Sequence, residues 1–444
     1  VLKTFPIGGI HPPEHKLTAN QPISYLPVPA SVTIPVSQHL GAPATVIVAK
    51  GDYVRTGQVI ATSKGFVSAN IHSSVSGKVS KIDTIIDSSG YKQTAVYIDV
   101  EGDEWIESIN KSSEILTEIK LSPEEITKRC LETGIVGLGG ATFPTYIKLT
   151  IPAGKKCNLL IINGVECEPY LTSDHRLMLE KGEEILIGVS ILMKALKVER
   201  AMIGIEENKP DAIDHLTKLA SSFKGITVHA LKVKYPQGAE KQLIKALINR
   251  EVPSGHLPLD VGAVVQNVGT AFAVYEAVQK NKPLFERVVT ITGNGLAKPG
   301  NFVVRIGTPV SDLIEAAGGM PGDTGKIISG GPMMGKALRN ADVPVVKGMS
   351  GLVVMPLEES ERLEVQPCIR CAKCCTVCPL NLEPYLLMKL AEKGLFEKAE
   401  EERITDCMEC GSCSYCCPSD RPLLDYIRLG KSTVIKMARE RNTK

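Results

Sequence analysis

Leu159-Leu160-Ile161-Ile162-Asn163-Gly164-Val165-Glu166-Cys167-Glu168-Pro169 is the stretch from which the fold can be read. Its four consecutive apolar residues are too few for a helix and read as a strand buried on both faces, which is the signature of a parallel sheet. The run then empties into polar residues, and open α/β sheets bind ligands at the carboxyl ends of their strands. Three further segments repeat the arrangement. Ala201–Ile205 ends in Glu206-Glu207-Asn208, Thr227–Val233 ends at Tyr235-Pro236-Gln237-Gly238-Ala239-Glu240, and Ala263–Val265 ends at Gln266-Asn267-Val268-Gly269-Thr270. Helical stretches are expected near 176–196, 209–223 and 239–249. Strand and helix in alternation predict a doubly wound α/β domain with polar strand ends.

Upstream, Ser122-Pro123-Glu124-Glu125 carries a helix start: serine to cap, proline for the first turn, and Glu125 to complete a capping box. The helix should stop at Gly134. The glycine-rich run Gly134-Ile135-Val136-Gly137-Leu138-Gly139-Gly140-Ala141-Thr142-Phe143-Pro144 follows. Glycines so spaced let backbone N–H groups approach a phosphate or a flat ring, and they equally suit a tight structural turn. Pro144 can open the next helix, whose N-terminus favours anions.

Cysteine use is concentrated. Of 13 cysteines, ten fall between Cys368 and Cys417. Cys368-Ile-Arg-Cys371-Ala-Lys-Cys374-Cys375-Thr-Val-Cys378-Pro379 and Cys407-Met-Glu-Cys410-Gly-Ser-Cys413-Ser-Tyr-Cys416-Cys417-Pro418 both read C-x2-C-x2-C-x3-C-P, so the segment is an internal repeat. Three thiolates two residues apart can wrap one cubane, while the fourth, before proline, reaches the partner cluster. The spacing therefore predicts one [4Fe–4S] cluster on Cys368, Cys371, Cys374 and Cys417, and a second on Cys407, Cys410, Cys413 and Cys378. Cys375 and Cys416 are extra, either buried neighbours or alternative ligands. Between the motifs, Leu386, Leu387, Leu390 and Ala391, then Gly394, then Phe396 and Ala399, read as helix, break, helix. One-electron transfer is the expected role, with structural staples as the alternative.

With 444 residues, about three domains are expected. A hydrophobic share of 43% with 23% charged residues excludes a disordered chain, and a net charge of +2 gives no bulk attraction for nucleic acid. No apolar run approaches the ~18 residues of a membrane span, and Val1–Pro6 lacks an apolar signal core. A soluble cytoplasmic chain that docks on a membrane complex is expected. The eight histidines are scattered and form no metal set. The 419–444 stretch carries seven Lys/Arg against three Asp/Glu and reads as a solvated helix or a docking element for a partner or anionic lipid.

Gly137-x-Gly139-Gly140-Ala141-x-Phe143-Pro144-Thr145-x-x-Lys148 resembles the glycine-rich loop of the NADH-binding flavoprotein subunit of respiratory complex I. Asn163-x-x-Glu166-x-Glu168-Pro169, followed by Asp174 and Arg176, resembles that family's second signature. Tyr235-x-x-Gly238-x-Glu240 and Asn267-Val268-x-Thr270 resemble the next two. The resemblance implies non-covalent FMN with NAD(H) as substrate. Gly137, Lys148, Asn163, Glu166, Tyr235, Gly238, Gln266 and Asn267 would line the flavin, and Gly139, Gly140, Phe143, Glu168 and Glu240 would meet NADH. Val165, Ala239 and Gly269 stand where that family carries acids. No catalytic acid, base or nucleophile is implied; Gly139, Gly140 and Glu240 would orient a hydride transfer performed by FMN.

The flanks extend the resemblance. Val28 to Val48, Lys50-Gly51-Asp52 through Ala61, and Val75-Ser76-Gly77-Lys78-Val79 resemble the small β fold of lipoyl- and biotinyl-carrier domains, although Lys64 lacks the carrier-type Met-Lys turn. Residues 287–340 resemble the β-grasp (SLBB-type) domain of the same complex I flavoprotein, and the cysteine module resembles helical two-cluster ferredoxin domains. The expected multidomain α/β chain thus runs as follows: 1–115, N-terminal segment and barrel-sandwich β domain; 116–285, FMN/NADH domain; 286–355, β-grasp domain; 356–444, two-cluster helical domain with a basic tail. That order, beginning with Gly8-Gly9-Ile10-His11-Pro12-Pro13-Glu14, resembles the C-subunit family of the Rnf electron-transport complexes. The resemblance implies a peripheral subunit on the cytoplasmic face of the cell membrane, held by membrane-embedded and iron–sulfur partner subunits and served indirectly by ferredoxin. A soluble flavin and iron–sulfur cobalamin reductase, and a relay scaffold without nucleotide binding, are the alternatives.

Overall fold

The structure, a computed structural model, describes residues 2–88 and 90–442. Its centre is a four-stranded parallel sheet formed by β1 (Leu159–Asn163), β2 (Ala201–Glu206), β3 (Ile226–Leu231) and β4 (Ala263–Asn267), in the order β3-β2-β1-β4. The order reverses beside β1, so the Leu159–Pro169 stretch leads to the switch point where ligands bind in such sheets. β1 and β4 align Asn163 with Asn267, which sets the two polar ends side by side.

Helices α1 (Pro123–Glu132), α2 (Thr145–Leu149), α3 (Ser173–Glu180), α4 (Gly182–Leu196), α5 (Pro210–Ala220), α6 (Glu240–Ile248) and α7 (Val268–Gln279) accompany the sheet. The capping box forms as the sequence dictates: Ser122 Oγ accepts from Glu125 N, and Glu125 accepts from Ser122 N at 2.7 Å. The helix expected over 176–196 is broken at Lys181, so α3 and α4 are separate. Gly182 follows the break, and the tips of His215 and Leu219 of α5 come within 2.9 Å of where its β-carbon would lie, so α4 starts in close contact with α5. α4 is buried on nearly every face among the core residues of α1, α7 and the sheet.

The N-terminal β domain is a four-stranded and a three-stranded sheet enclosing Val32, Ile34, Val54, Ile60, Ile71 and Val96. The β-grasp sheet runs Ile23–Tyr25, Gly300–Arg305, Glu286–Thr292, Gly351–Pro356, Thr324–Ser329, Lys336–Ala337. Its first strand comes from the N-terminal segment and pairs parallel with Gly300–Arg305, a long-range addition that local sequence does not announce. The cysteine module is helical, with Pro384–Glu392 and Phe396–Glu401 between the motifs and Leu423–Asn442 packed along them. Gly394, at φ +68°, makes the break between the first two of these helices. No helix among the described residues is long and apolar enough to cross a membrane.

Three domains meet at one buried cation. Lys347 Nζ donates to the carbonyls of Asn70 (3.0 Å) in the N-terminal domain and Gly134 (2.7 Å) at the head of the glycine run. Burial without an anionic partner pulls its pKa down to about 7.

Candidate functional site

The glycine run leaves α1 and folds back on itself: Gly137 N donates to Phe143 O at 2.9 Å, and Val136 bridges Pro144. Leu138 N donates to Thr270 Oγ1 at 2.9 Å, which pins the loop to the start of α7. A β-carbon on Gly139 would lie 2.9 Å from Asn267, so this glycine allows the loop to touch the end of β4. A β-carbon on Gly140 would meet no atom within 4 Å, leaving open space on that face of the loop. Phe143 is half-buried at the loop's return.

The strand ends form the opposite wall. Asn163 Nδ2 donates to Gly238 O (2.8 Å), and Asn163 Oδ1 accepts from Val165 N (3.1 Å). Asn267 caps α7 by accepting from Gly269 N (2.8 Å) and Thr270 N (3.3 Å), and it donates to Asp174 at 2.7 Å. Desolvation, with Glu166 nearby, pushes Asp174 up to about 7. Lys148 of α2 donates to Glu240 (2.7 Å) at the start of α6 and to Val265 O (3.0 Å), so two residues expected at the cofactor form an ion pair.

Three expected contact residues spend their polar groups elsewhere. The Glu166 carboxylate accepts from Asp174 N (2.7 Å) and His175 N (3.1 Å), capping α3. The Glu168 carboxylate accepts from Met333 N (3.0 Å) and Met334 N (2.8 Å), tying this loop to the β-grasp domain; burial raises it to about 7. The Tyr235 hydroxyl donates to the carbonyl of Cys410 at 2.8 Å. The partners of Glu168 and Tyr235 lie more than 160 residues along the chain, beyond the reach of a strand-end pattern, whereas those of Glu166 lie eight and nine residues on.

One residue was missed. Lys16 Nζ donates to the carbonyls of Glu166 (2.8 Å), Glu168 (2.9 Å) and Leu171 (2.7 Å) and so holds the whole β1 loop. Desolvation, then the neighbouring Lys209, lowers its pKa to about 8. The only available signal was a lysine shortly behind two prolines, in a segment too irregular for helix or strand.

Two buried polar atoms beside the crevice have no hydrogen-bond partner among the described residues: Gln266 Nε2 at the end of β4 and Thr145 Oγ1 at the start of α2. Buried polar groups are rarely left so, and a bound cofactor with acceptor and donor edges suits both. The open face of the glycine loop and these two atoms therefore fit a polar ligand with donor and acceptor edges.

In the cysteine module, Cys378 of the first motif joins Cys407, Cys410 and Cys413 of the second around one cavity, closed by Leu382 and Ile427. Cys374 lies near Cys417 of the second motif, and Cys416 near Cys371, Cys374 and Cys417; Cys368 and Cys371 are exposed. Burial, with help from neighbouring thiols, raises both Cys407 and Cys416 to about 11. Thiols crowded this way would ionise only with positive charge among them, which a bound iron–sulfur cluster would supply. No three His, Cys, Asp or Glu side chains among the described residues are drawn tightly enough to grip a single ion. A cubane spaces its ligands around a larger body, and the four-thiol cavity suits that shape.

Residues 130–276 match the Nuo51 FMN-binding domain, residues 3–103 the RnfC barrel sandwich hybrid domain and residues 288–337 the SLBB domain. The chain is 49% identical over 90% of its length to the C subunit of the proton-translocating ferredoxin:NAD(+) oxidoreductase complex of Clostridium ljungdahlii, covering 87% of that protein. It is 44% identical over 98% of its length to the C subunit of the Na(+)-translocating ferredoxin:NAD(+) oxidoreductase complex of Acetobacterium woodii, covering 98% of it. The C subunit of the ion-translocating oxidoreductase complex of Rhodobacter capsulatus is 42% identical over 90% of the chain, with 77% of its own length covered. Among solved structures, an NAD+-reducing [NiFe]-hydrogenase in the H2-reduced state shares the fold at TM-score 0.50 and 18% identity, over 70% of this chain and 63% of that one.

Proposed function

The chain belongs to the family of C subunits of ion-translocating ferredoxin:NAD(+) oxidoreductase complexes, and from that premise we propose that it exchanges hydride between NAD(H) and bound FMN and passes single electrons through two [4Fe–4S] clusters to or from partner subunits. It is a subunit of an oxidoreductase complex and carries an FMN-binding domain. The observation that carries the finer reading is that the cavity lined by Cys378, Cys407, Cys410 and Cys413 adjoins the strand-end crevice through Tyr235.

FMN supplies the conversion between a two-electron hydride and one-electron carriers, and the clusters supply the relay. The chain's own part is to bind and orient. Gln266 and Thr145 offer the unpartnered polar atoms, while Asn163, Asn267, Gly137 and Gly238 shape the wall of the flavin site. Gly139 and Gly140 keep one face of the crevice clear for a nicotinamide, whose ring must lie close to its reaction partner. Glu240, held by Lys148, presents a carboxylate to ribose or carboxamide groups, with Phe143 and Glu168 as neighbours. Cys378, Cys407, Cys410 and Cys413 would hold the inner cluster, and Cys368, Cys371, Cys374 and Cys417 the outer. The exposed outer cysteines suit exchange with a membrane-embedded or iron–sulfur partner on the cytoplasmic face, where ferredoxin would act indirectly.

Anaerobic stopped-flow mixing of the reconstituted chain with NADH tests the reading. Flavin bleaching by NADH is expected. Bleaching by dithionite but not by NADH would leave only a relay scaffold. Copurification with membrane subunits separates this role from that of a soluble reductase.

A further inference from the structure

The α/β domain grips the cysteine module at one particular face. Tyr235 is buried, and its hydroxyl donates to the Cys410 carbonyl at 2.8 Å. Gln242 of α6 donates through Nε2 to the carbonyl of Pro379, the residue after Cys378, at 3.2 Å. Gly9 N donates to Val377 O at 2.8 Å, and a β-carbon on Gly8 would lie 2.5 Å from the Cys378 carbonyl carbon. Around these contacts Ile10, Tyr235 and Cys410 pack together with Cys167 and Met333. Both ligand loops of the four-thiol cavity, one from each motif, are thus held by the α/β domain and the N-terminal segment. Residues 361–371, which bear Cys368 and Cys371, are exposed and receive no such grip.

Resting on the two-cluster reading above, we propose that Tyr235 is a positioning residue for the cluster held by Cys378, Cys407, Cys410 and Cys413, and that its hydroxyl joins the flavin crevice to that cluster in particular. The hydroxyl's positive end offsets the negative end of the Cys410 carbonyl dipole. Without it, that carbonyl stays buried and unpaired beside the cluster, and an added electron there is disfavoured. Gln242 plays the same part for Pro379 at the other ligand loop.

The test uses the full reconstituted chain, with iron counted first, and redox titration followed by electron paramagnetic resonance. Cys371→Ser, which removes an exposed ligand of the other set, identifies the signal of the inner cluster as the one that survives. Tyr235→Phe keeps the ring and removes only the hydroxyl. At a fixed poise it should lower the reduced-to-oxidised ratio of the inner cluster by up to about tenfold, a downward shift of about 59 mV for one electron. Flavin content, iron content and the other signal should stay as in the parent. Gln242→Leu should shift the same signal in the same direction, and it carries the test alone if the phenylalanine variant does not assemble. Unchanged titration of the inner signal in a variant with full iron overturns the inference, as does a shift confined to the outer cluster. A parent chain holding only four irons overturns the two-cluster reading itself, and iron counting makes that failure visible before any variant is titrated.

Discussion

Gly139 and Gly140 are adjacent, yet substitution should act on them by different routes. A β-carbon at Gly140 meets no atom within 4 Å, but the backbone there has φ +159°, which side-chained residues rarely adopt, so Gly140→Val should cost about 1–3 kcal/mol in backbone strain rather than through any contact. A β-carbon at Gly139 falls 2.9 Å from Asn267 Cβ and 3.0 Å from its Cγ and Nδ2. Gly139→Ala must therefore displace the residue that caps α7 and bonds Asp174, at a cost of about 0.5–2 kcal/mol for a lost cap. The ligand effects should separate the two sites. Valine at Gly140 projects into the space assigned to nicotinamide and should weaken NADH by at least about tenfold, or ~1.4 kcal/mol. Urea unfolding gives the first pair of numbers, and the NADH concentration dependence of flavin bleaching gives the second, with dithionite bleaching as the control for bound flavin. A Gly140→Val chain that is stable, retains flavin and is bleached by NADH at the parent rate and affinity would refute the placement of the nucleotide.

Other outcomes follow from the same contacts. Lys16→Met leaves three partly buried carbonyls without their donor and should cost about 1–3 kcal/mol in urea unfolding; no measurable loss would contradict this. Burial raises Glu206 from its ordinary 4.5 to about 7, so the folded chain holds a proton that the unfolded chain has released across that window. The stability owed to Glu206 is therefore present at low pH and is lost as pH rises through 7. Glu206→Gln should remove its falling share of the slope between pH 4.5 and 7, while Glu168, Asp174 and the buried His72 keep theirs, and a slope identical to the parent's would count against the shift. Cys417→Ser should disturb the signal of the Cys368–Cys371–Cys374 set, and damage confined to the second motif's cluster would refute cross-ligation between the motifs. Glu240→Ala frees Lys148 and should raise the NADH requirement by about 1–3 kcal/mol of binding; an unchanged requirement would remove Glu240 from the nucleotide site.

What could be read from sequence was local. The four strands, their polar ends, the capping box at Ser122 and the break at Gly394 each rest on residues a few positions apart, and each is present in the fold. The repeat of the cysteine motifs also brought a long-range consequence within reach, because Cys378 does approach Cys407, Cys410 and Cys413. Where a side chain's partner lay in another domain, sequence had no purchase. Glu168 and Tyr235 carry the right residue types at the right strand ends, but Met333, Met334 and Cys410 decide where their polar atoms go. Lys16 and Lys347 belong to no periodic segment, so a reading built on periodicity passed over them, although each ties separate parts of the chain together. The strand Ile23–Tyr25 was equally hidden, because its pairing partner Gly300–Arg305 lies in a distant part of the chain.

The central claim is that one chain holds a flavin and two cubane clusters in electrical contact. Iron, acid-labile sulfide and extracted flavin, all measured on one sample of the anaerobically reconstituted full chain, test it most directly. The account predicts about eight irons, about eight sulfides and about one FMN per chain. Four irons, FAD in place of FMN, or no flavin after reconstitution would contradict it.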